Sequence, residues 1–543
     1  MAEEIRKTGN RWIAILMAVL AAIILTATAP GIGLTWDEPY YIATSVTYLG
    51  WFKFLVTNPL QAFTPAGINQ YWSITNQHPV LDRIWSGIIW SLSRHVLDDL
   101  TAHRLGNILL AAAMIGLLYL LVAQAYGKAA GLFSAAALMS MPRFFFHSHL
   151  AALDVPVAAA IFFVTFLFWR TVDRKEWWWG LLLGLAWGLA EAVKLNATFI
   201  PIGLLIWSLL FRRKRYIITR FLLMGFTAVV TFFLVWPWLY HQTWARVMEY
   251  VNFNLHSADH GQWYLGQFYI NPPWHFTLVM LWAVVPLTVM LLAIIGVVCA
   301  GRGRQDKGLG WLIIISILVP LMPFAIGGFP AYDNDRLFIQ AYPFLGALAG
   351  IGFGWIVSGL RKWTRQINYP VLFLPAGVIA AAVLLMSQVV TMTSLYPHLL
   401  SYYSEGVGGL PGATKLGLET TYWCETYAAA IPYFNAYAQP GDLIWVEPDS
   451  YNVLLYYQYH GQLREDVKVM NDVPWPVSVF GPGTPQPIHG KYPSANWYIF
   501  QYRQSQFGNA GDNFPLLAYL KNLAPPVFQI SYQGIPLMGL YRH

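Results

Sequence analysis

The chain has 543 residues, 57% of them hydrophobic and 11% charged, with a formal net charge of +7. Soluble domains carry roughly 25% charged residues, so a wholly water-facing surface is excluded and a lipid-facing one is not. The positive charge does not point to nucleic acid, because Lys and Arg sit in short clusters between apolar runs and no nucleic-acid-binding motif accompanies them.

A membrane-spanning helix needs about 20 mostly apolar residues. Eleven segments qualify in chain order: 12–30, 104–125, 129–146, 155–171, 177–193, 197–211, 217–238, 274–299, 309–328, 337–358 and 369–393. The pair 177–193 and 197–211 also reads as one bent segment, but Pro201 and the polar Lys194–Asn196 break favour two. Orientation follows from basic residues, which gather on the cytoplasmic side. Arg6, Lys7 and Arg11 precede the first segment, and alternate loops then carry Lys128, Arg170/Arg174/Lys175, Arg212–Arg215, Arg302/Arg304/Lys307 and Arg361/Lys362/Arg365. The other loops hold single charges: Lys53, Arg83, Arg94, Arg143, Lys194, Arg246 and Arg336. The expected topology is a multi-pass plasma-membrane protein with a cytoplasmic N-terminus and an extracytoplasmic C-terminus. Ala27-Thr28-Ala29 also fits a signal-peptidase site, and on either reading the following chain emerges outside. Cys299 and Cys424 fall on opposite sides, so no intramolecular disulfide framework is expected.

Two outer loops, 31–103 and 239–273, are too long for simple connectors. The first contains amphipathic stretches at Tyr40–Phe54 and Val80–Leu97, expected to lie along the interface. The transmembrane domain is expected over 1–394. From about 395 polar residues rise and long apolar runs stop, which predicts a soluble extracytoplasmic α/β domain over 395–543. Its strands are expected at Lys415–Tyr422, Asp442–Glu447, Val467–Met470 and Trp497–Tyr502, with helices at Tyr427–Tyr437 and Tyr451–His460. A terminal hairpin over Val527–Tyr541 turns at Gln533-Gly534.

The groups able to carry chemistry all lie in the outer loops. Asp37 and Glu38 follow the first span; a carboxylate there can serve as a general base or hold a metal or a sugar, or can merely open a helix at Pro39. His147, His149 and Asp154 form a second group, whose histidine spacing is not that of a helical metal pair and whose Asp154 also reads as a helix cap. Glu191, Lys194 and Asn196 form a third, either an i, i+3 ion pair or a phosphate site built on Lys194. Tyr332-Asp333-Asn334-Asp335-Arg336 forms a fourth, in which Arg336 suits phosphate geometry or a surface pair with Asp. His78, Asp82 and Arg83, and the Trp263–Gly266 to Pro272–Trp274 stretch with Tyr264, complete the set. No Walker loop, dinucleotide fingerprint or serine-nucleophile elbow is present.

In order along the chain, Asp37-Glu38, His78-Pro79, Arg104-Leu105, His149 through Asp154-Val155-Pro156 and Glu191 through Lys194-Leu195-Asn196 resemble the membrane-embedded GT-C glycosyltransferases. Tyr264-Leu265-Gly266, Pro272-Pro273-Trp274 and Arg336 before Tyr342-Pro343-Phe344 extend the likeness. It is to the branch shared by protein O-mannosyltransferases and lipid A aminoarabinose transferases, and covers about residues 10–360. The resemblance implies a GT-C polytopic helical fold and inverting transfer of a sugar from a polyprenyl-phosphate carrier to a protein, glycolipid or cell-wall glycan acceptor. It implies Asp37 as base with Glu38 nearby, Asp154 as a second acidic residue, and Lys194 and Arg336 as ligands of the carrier phosphate. His78, Arg83, His149, Tyr264 and Tyr332 are further candidates for binding the carrier or the acceptor. No cofactor is required by the pattern, a divalent metal ion being the one candidate. The competing classes are a transporter or flippase of a lipid-linked sugar, expected to place charges in mid-bilayer near broken helices, and a non-catalytic subunit on the same scaffold.

Overall fold

The computed structural model describes residues 2–74, 78–212, 215–256, 261–300, 308–326, 330–366, 373–472, 483–507, 514–523 and 525–543. The Arg302/Arg304/Lys307 group and parts of the expected segments 309–328 and 369–393 lie outside them. Among the described residues, seven helices are long and apolar enough to cross a membrane: Asn10–Gly31, Asp99–Tyr126, Asp154–Thr171, Tyr216–Val235, Leu309–Ile326, Arg336–Gln366 and Ala376–Leu395. The other four expected spans are shorter or broken. Pro142 separates Lys128–Met139 from Pro142–His147, and Pro286 separates Phe276–Val284 from Leu287–Cys299. A proline has no N–H to donate and clashes with the preceding turn. Trp178–Glu191 and Ile200–Phe211 are separate helices joined through a 3-10 turn, Leu195–Phe199, so 177–211 is indeed interrupted at Lys194. Cys299 and Cys424 are free and buried.

Small residues let these helices approach closely, since hydrocarbon outside gives apolar side chains little reason to prefer one another. Gly180, Gly184 and Gly188 stand one turn apart on Trp178–Glu191. A Cβ at each would come within 2.9, 2.5 and 2.6 Å of the carbonyl oxygens of Arg220, Met224 and Ala228 on the helix Arg215–Val235.

The loop after the first span folds into helices Glu38–Thr57, Pro59–Ala62, Pro65–Trp72 and Leu81–Ser93. Trp51 and Trp72, with Trp236 and Trp238 from the 3-10 turn region Pro237–Tyr240, pack into one aromatic cluster between this loop and the next. In the second long loop, β1 (Gln262–Tyr264) and β2 (Gln267–Tyr269) form a hairpin.

The C-terminal part is a six-stranded sheet with helices. Its strands are β3 (Leu443–Glu447), β4 (Lys468–Asn471), β5 (Ile488–His489), β6 (Trp497–Gln501), β7 (Phe528–Tyr532) and β8 (Ile535–Arg542), in the order β5-β4-β3-β6-β8-β7. The first four in that order are parallel, and β8 runs antiparallel to both its neighbours, β6 and β7. The expected helices occur as Ile431–Tyr437 and Tyr451–Tyr459, and Pro515–Asn522 is an addition. Lys415–Tyr422, expected as a strand, is not one. The helix Gly409–Lys415 ends there, and the following residues spend their backbone groups on scattered partners: Gly417 O accepts from Gly266 N (3.0 Å), and Thr420 N donates to Gln504 Oε1 (2.8 Å). Among the described residues this segment pairs with no strand.

Replacing Gly184 by Leu is expected to force the two helices apart and cost about 1–3 kcal/mol, as overpacking of a close contact does. Thermal unfolding of the purified variant in detergent checks this, and an unchanged midpoint would show that the close approach is not needed.

Candidate active site

Four interruptions of regular structure meet at one place. Asp37 stands at the N-cap of Glu38–Thr57 yet makes no side-chain capping bond. Asp154 lies in the first turn of Asp154–Thr171, and Lys194 has extended backbone between two helical pieces. Arg336 opens the 3-10 turn Arg336–Ala341 before the helix Tyr342–Gln366. Each position frees a polar side chain from the helix ladder and lets it point at its neighbours.

Arg336 is the hub. Its Nε donates to Asp154 Oδ2 (3.0 Å), Nη1 to Asp333 Oδ2 (2.7 Å) and Nη2 to Asp37 Oδ2 (2.6 Å). Lys194 Nζ donates to the other Asp154 oxygen at 2.7 Å. The Arg336 guanidinium lies 4.1 Å from the Trp423 ring centroid and 5.8 Å from that of Tyr332. The Asp154 and Asp333 side chains are 2% and 5% exposed, while Asp37 is 27% exposed. Arg336 therefore holds two sealed carboxylates and one that can be reached. Burial, with Asp333 and Asp154 close by, pushes the Asp37 carboxyl up against the opposing pull of Arg336 and Lys194.

Lys194, His78 and Tyr332 line a cavity of about 120 Å³. Asn196, Phe199 and Pro320 also border a second, much smaller cleft of about 20 Å³, lined mostly by apolar residues with Thr165 and Ser316, between Ile200–Phe211 and Leu309–Ile326. The cavity thus has the Lys194 cation at one end and a small, mostly apolar cleft beside it. A larger groove of about 660 Å³ runs between the first span and Phe373–Leu395. No charged side chain lines it, and it lies apart from this chemistry.

The adjacent acids part company. Glu38 turns away from Arg336 into a sealed pair with Arg104, which donates to both of its oxygens (2.8 and 2.7 Å). Thr35 N, Thr35 Oγ1 and Ala151 N donate to the same carboxylate, and both partners are fully buried. Arg104 also donates to Ala29 O, Ile32 O and Gly33 O. Glu38, expected near Asp37 in acceptor binding or in organising the site, thus belongs to a separate network, bonded to Arg104 and to the loop that precedes Asp37. Successive residues at the start of a helix point in different directions, so adjacency in sequence did not mean one site.

Of the two readings of Glu191 and Lys194, the i, i+3 ion pair is not the one seen, since Lys194 goes to Asp154 and Glu191 Oε2 accepts from Thr198 Oγ1 (3.0 Å). Asn196 Nδ2 donates to Leu337 O (3.1 Å), which ties the Lys194 turn to that of Arg336. Arg83 lies outside the cluster and braces the loop by donating to the carbonyls of His78 and Pro79. His149 is also elsewhere, bonded through Nε2 to Thr28 Oγ1 (2.8 Å) and through Nδ1 to Phe145 O. Tyr264 is buried on His275 Nδ1 (2.7 Å), away from Arg336. Its hairpin still acts on the site, because Gln262 exchanges two bonds with Asn334 (3.0 and 2.7 Å) and so holds the turn in which Asp333 and Asn334 have φ of +57° and +59°. Asp and Asn are the residues that best tolerate that region. Among the described residues no group of three or more His, Cys, Asp or Glu side chains converges so as to hold a metal ion.

Two participants were not anticipated. Arg503 reaches Asp333 Oδ1 (2.7 Å) from two residues beyond the end of β6, and Trp423 covers Arg336. A signal for Arg503 was present: it follows an expected strand at its carboxyl end, where α/β sheets carry their ligand-facing residues. No local pattern marks Trp423.

Glu38→Gln is expected to cost about 3–5 kcal/mol, because it strands the buried Arg104 charge. Loss of thermal stability without any substrate would be the signature; a variant as stable as the wild type but inactive would restore Glu38 to a chemical role.

Residues 84–241, which include Asp154 and Lys194, match the model of the dolichyl-phosphate-mannose-protein mannosyltransferase family. No curated protein sequence matches the chain. Among solved structures, ArnT from Cupriavidus metallidurans bound to undecaprenyl phosphate aligns over 97% of this chain and 98% of its own, at 14% identity and a TM-score of 0.53. The apo form of ArnT aligns over 97% of each chain at 16% identity and a TM-score of 0.52. The oligosaccharyltransferase AglB from Archaeoglobus fulgidus, in complex with an inhibitory peptide and a dolichol-phosphate, covers 98% of this chain and 74% of its own at 10% identity and a TM-score of 0.49. At these identities the likeness to solved structures is one of fold. The chain therefore shares the fold of ArnT over nearly its whole length, and its residues 84–241 carry a likeness to the dolichyl-phosphate-mannose-protein mannosyltransferase family.

Proposed function

We propose that the protein is an inverting glycosyltransferase that takes a sugar from a polyprenyl-phosphate carrier and transfers it to an acceptor at the outer face of the membrane. The observation that carries this reading is the array in which Arg336 holds a reachable Asp37 and shares Asp154 with Lys194, the residue that lines a cavity beside the membrane helices. Two fixed cations suit a phosphate, and the apolar membrane helices around Lys194 suit the chain attached to it. The likeness to ArnT, which was solved with undecaprenyl phosphate, supports the same donor class.

In this mechanism the donor phosphate approaches Lys194 and takes the arm of Arg336 that otherwise holds Asp37. The sealed carboxylates Asp154 and Asp333 keep the guanidinium in place during the exchange. Asp37, released, removes the proton from the acceptor group. The acceptor atom forms its bond to the anomeric carbon as the bond from that carbon to the phosphate oxygen breaks. Polyprenyl phosphate departs with the electron pair, and its charge falls on Arg336 and Lys194, where fixed dipoles and cations act most strongly. A single displacement opposite the leaving group needs one base and no covalent intermediate. In this reading the 395–543 domain roofs the site or helps choose the acceptor, and the positive-inside pattern supports its lying outside the cytoplasm.

Purified protein in detergent, given a panel of radiolabelled polyprenyl-phosphate sugars with membrane extract as acceptor source, is expected to release polyprenyl phosphate. Asp37→Asn is expected to lower the rate by about 10²–10⁴-fold, the usual worth of a general base. Donor binding without release by the wild type for every donor would favour a carrier-moving or scaffold role. Because Asp37 must be ionised to act and its pKa is raised in the free protein, kcat/KM is expected to climb with pH along a limb displaced above the ordinary carboxylate range. A flat profile through that range would remove Asp37 as the base.

A further inference from the structure

The C-terminal sheet sends one charged side chain into the array of the membrane helices. Arg503, 5% exposed, lies two residues past β6, at the carboxyl edge of the parallel strands. Its Nη2 donates to Asp333 Oδ1 at 2.7 Å, while the other oxygen of the same carboxylate accepts from Arg336 Nη1 at 2.7 Å. One buried carboxylate therefore bridges two guanidinium groups carried by different parts of the chain. The outer guanidinium is itself fixed: Arg503 Nε donates to Ser505 Oγ (2.9 Å) and lies 3.5 Å from Glu419 Oε1, and its plane rests 5.6 Å from the Trp36 ring centroid. Trp36 N in turn donates to Trp423 O (3.0 Å), and Trp423 covers Arg336. Asp333 is held in left-handed backbone by the Gln262–Asn334 bonds, so its carboxylate cannot follow a neighbour freely.

We infer that Arg503 is a positioning residue for the transfer reaction: through Asp333 it fixes the guanidinium of Arg336 where it can pass from Asp37 to the donor phosphate, which makes the C-terminal sheet a required part of the active site. The inference rests on the glycosyltransferase reading above. The two guanidinium groups share one negative charge. With Arg503 in place, Asp333 divides its negative charge between two cations, and Arg336 keeps an arm for Asp37 and the phosphate. Without Arg503, Asp333 has Arg336 as its cation and draws it away from Asp37. Asp37 is faced by Arg336, Asp333, Asp154 and Lys194 from the other helices and turns, by Tyr332 beside Arg336, and by Tyr40 and Tyr41 on its own helix. A shift of the one guanidinium among these groups leaves Asp37 with less positive charge and moves its ionisation to higher pH.

The test compares wild type, Arg503→Gln, Asp333→Asn and the double variant in the polyprenyl-phosphate release assay, with kcat, KM and the acidic limb of the pH profile as readouts. Arg503→Gln is expected to lower kcat by up to about 10²-fold, the scale of a small misplacement in a pre-organised site, and to shift the acidic limb to higher pH. Asp333→Asn removes an anion that pushes Asp37 up, so its limb moves to lower pH. In the double variant Arg503→Gln adds little to Asp333→Asn, in rate or in limb. Thermal unfolding of all four accompanies the kinetics, and Arg503→Lys, which keeps the charge, serves if the glutamine variant does not fold; it is expected to retain the wild-type limb with an intermediate kcat. Arg503→Gln with lowered stability but wild-type kcat and limb would overturn the inference, as would independent, multiplying effects of the two single changes. Failure of the underlying reading has a different signature: release by the wild type that is absent or indifferent to Asp37→Asn.

Discussion

A guanidinium has five N–H donors, no acceptor and a charge it cannot lose. Buried in a membrane protein it has to be surrounded by carboxylates and carbonyls, because removing an ion from water costs several kcal/mol that only close partners offset. Arg336 meets that requirement with Asp154, Asp333 and Asp37, each drawn from a different stretch of chain. The turn after the first span, the start of Asp154–Thr171 and the 332–336 turn are thus locked to one another through a single side chain. Lys194 adds a fourth stretch through Asp154. The membrane helices can be arranged in many ways by packing alone; this array admits few.

The same chemistry is used for two ends. Glu38 with Arg104, and Asp335 with Arg143 and Tyr342, are closed systems whose charges are matched and sealed. They hold loops. The Arg336 array differs because one of its carboxylates is partly open and because Lys194 borders a cavity. A closed pair resists exchange, since leaving it strands a buried charge. An array with one reachable member can trade that member for an incoming anion. The placement of the opening, more than the identity of the residues, separates a strut from a site.

The surrounding framework serves that placement. Glycines on Trp178–Glu191 bring Arg215–Val235 close enough for backbone contact, so the end of the first helix, and with it Lys194, is set with little freedom. The hairpin of β1 and β2 pins the left-handed turn at Asp333 and Asn334. The C-terminal sheet docks through its carboxyl edge, where Asn452 bonds Tyr40 and Arg503 bonds Asp333. Parallel strands end together on one side, so several loops reach the membrane helices at once.

Much of this was legible in the chain. Apolar runs of spanning length, the Lys194–Asn196 break, the α/β character after residue 395 and the candidates Asp37, Asp154, Lys194 and Arg336 could all be read there, because each depends on local composition or on a charge too costly to bury idly. The breaks at Pro142 and Pro286 were written in the residues but masked by the hydropathy around them. What could not be read was pairing. Glu38 and Asp37 are neighbours in sequence and belong to different networks; Lys194 passes over Glu191, three residues away, for Asp154, forty residues away. Arg503 and Asp333 lie 170 positions apart and share one bond. Local pattern determines which side chains must find partners, since burial forbids leaving them alone. Which partner each one finds depends on how helices and sheet come together, and only the tertiary structure decides that.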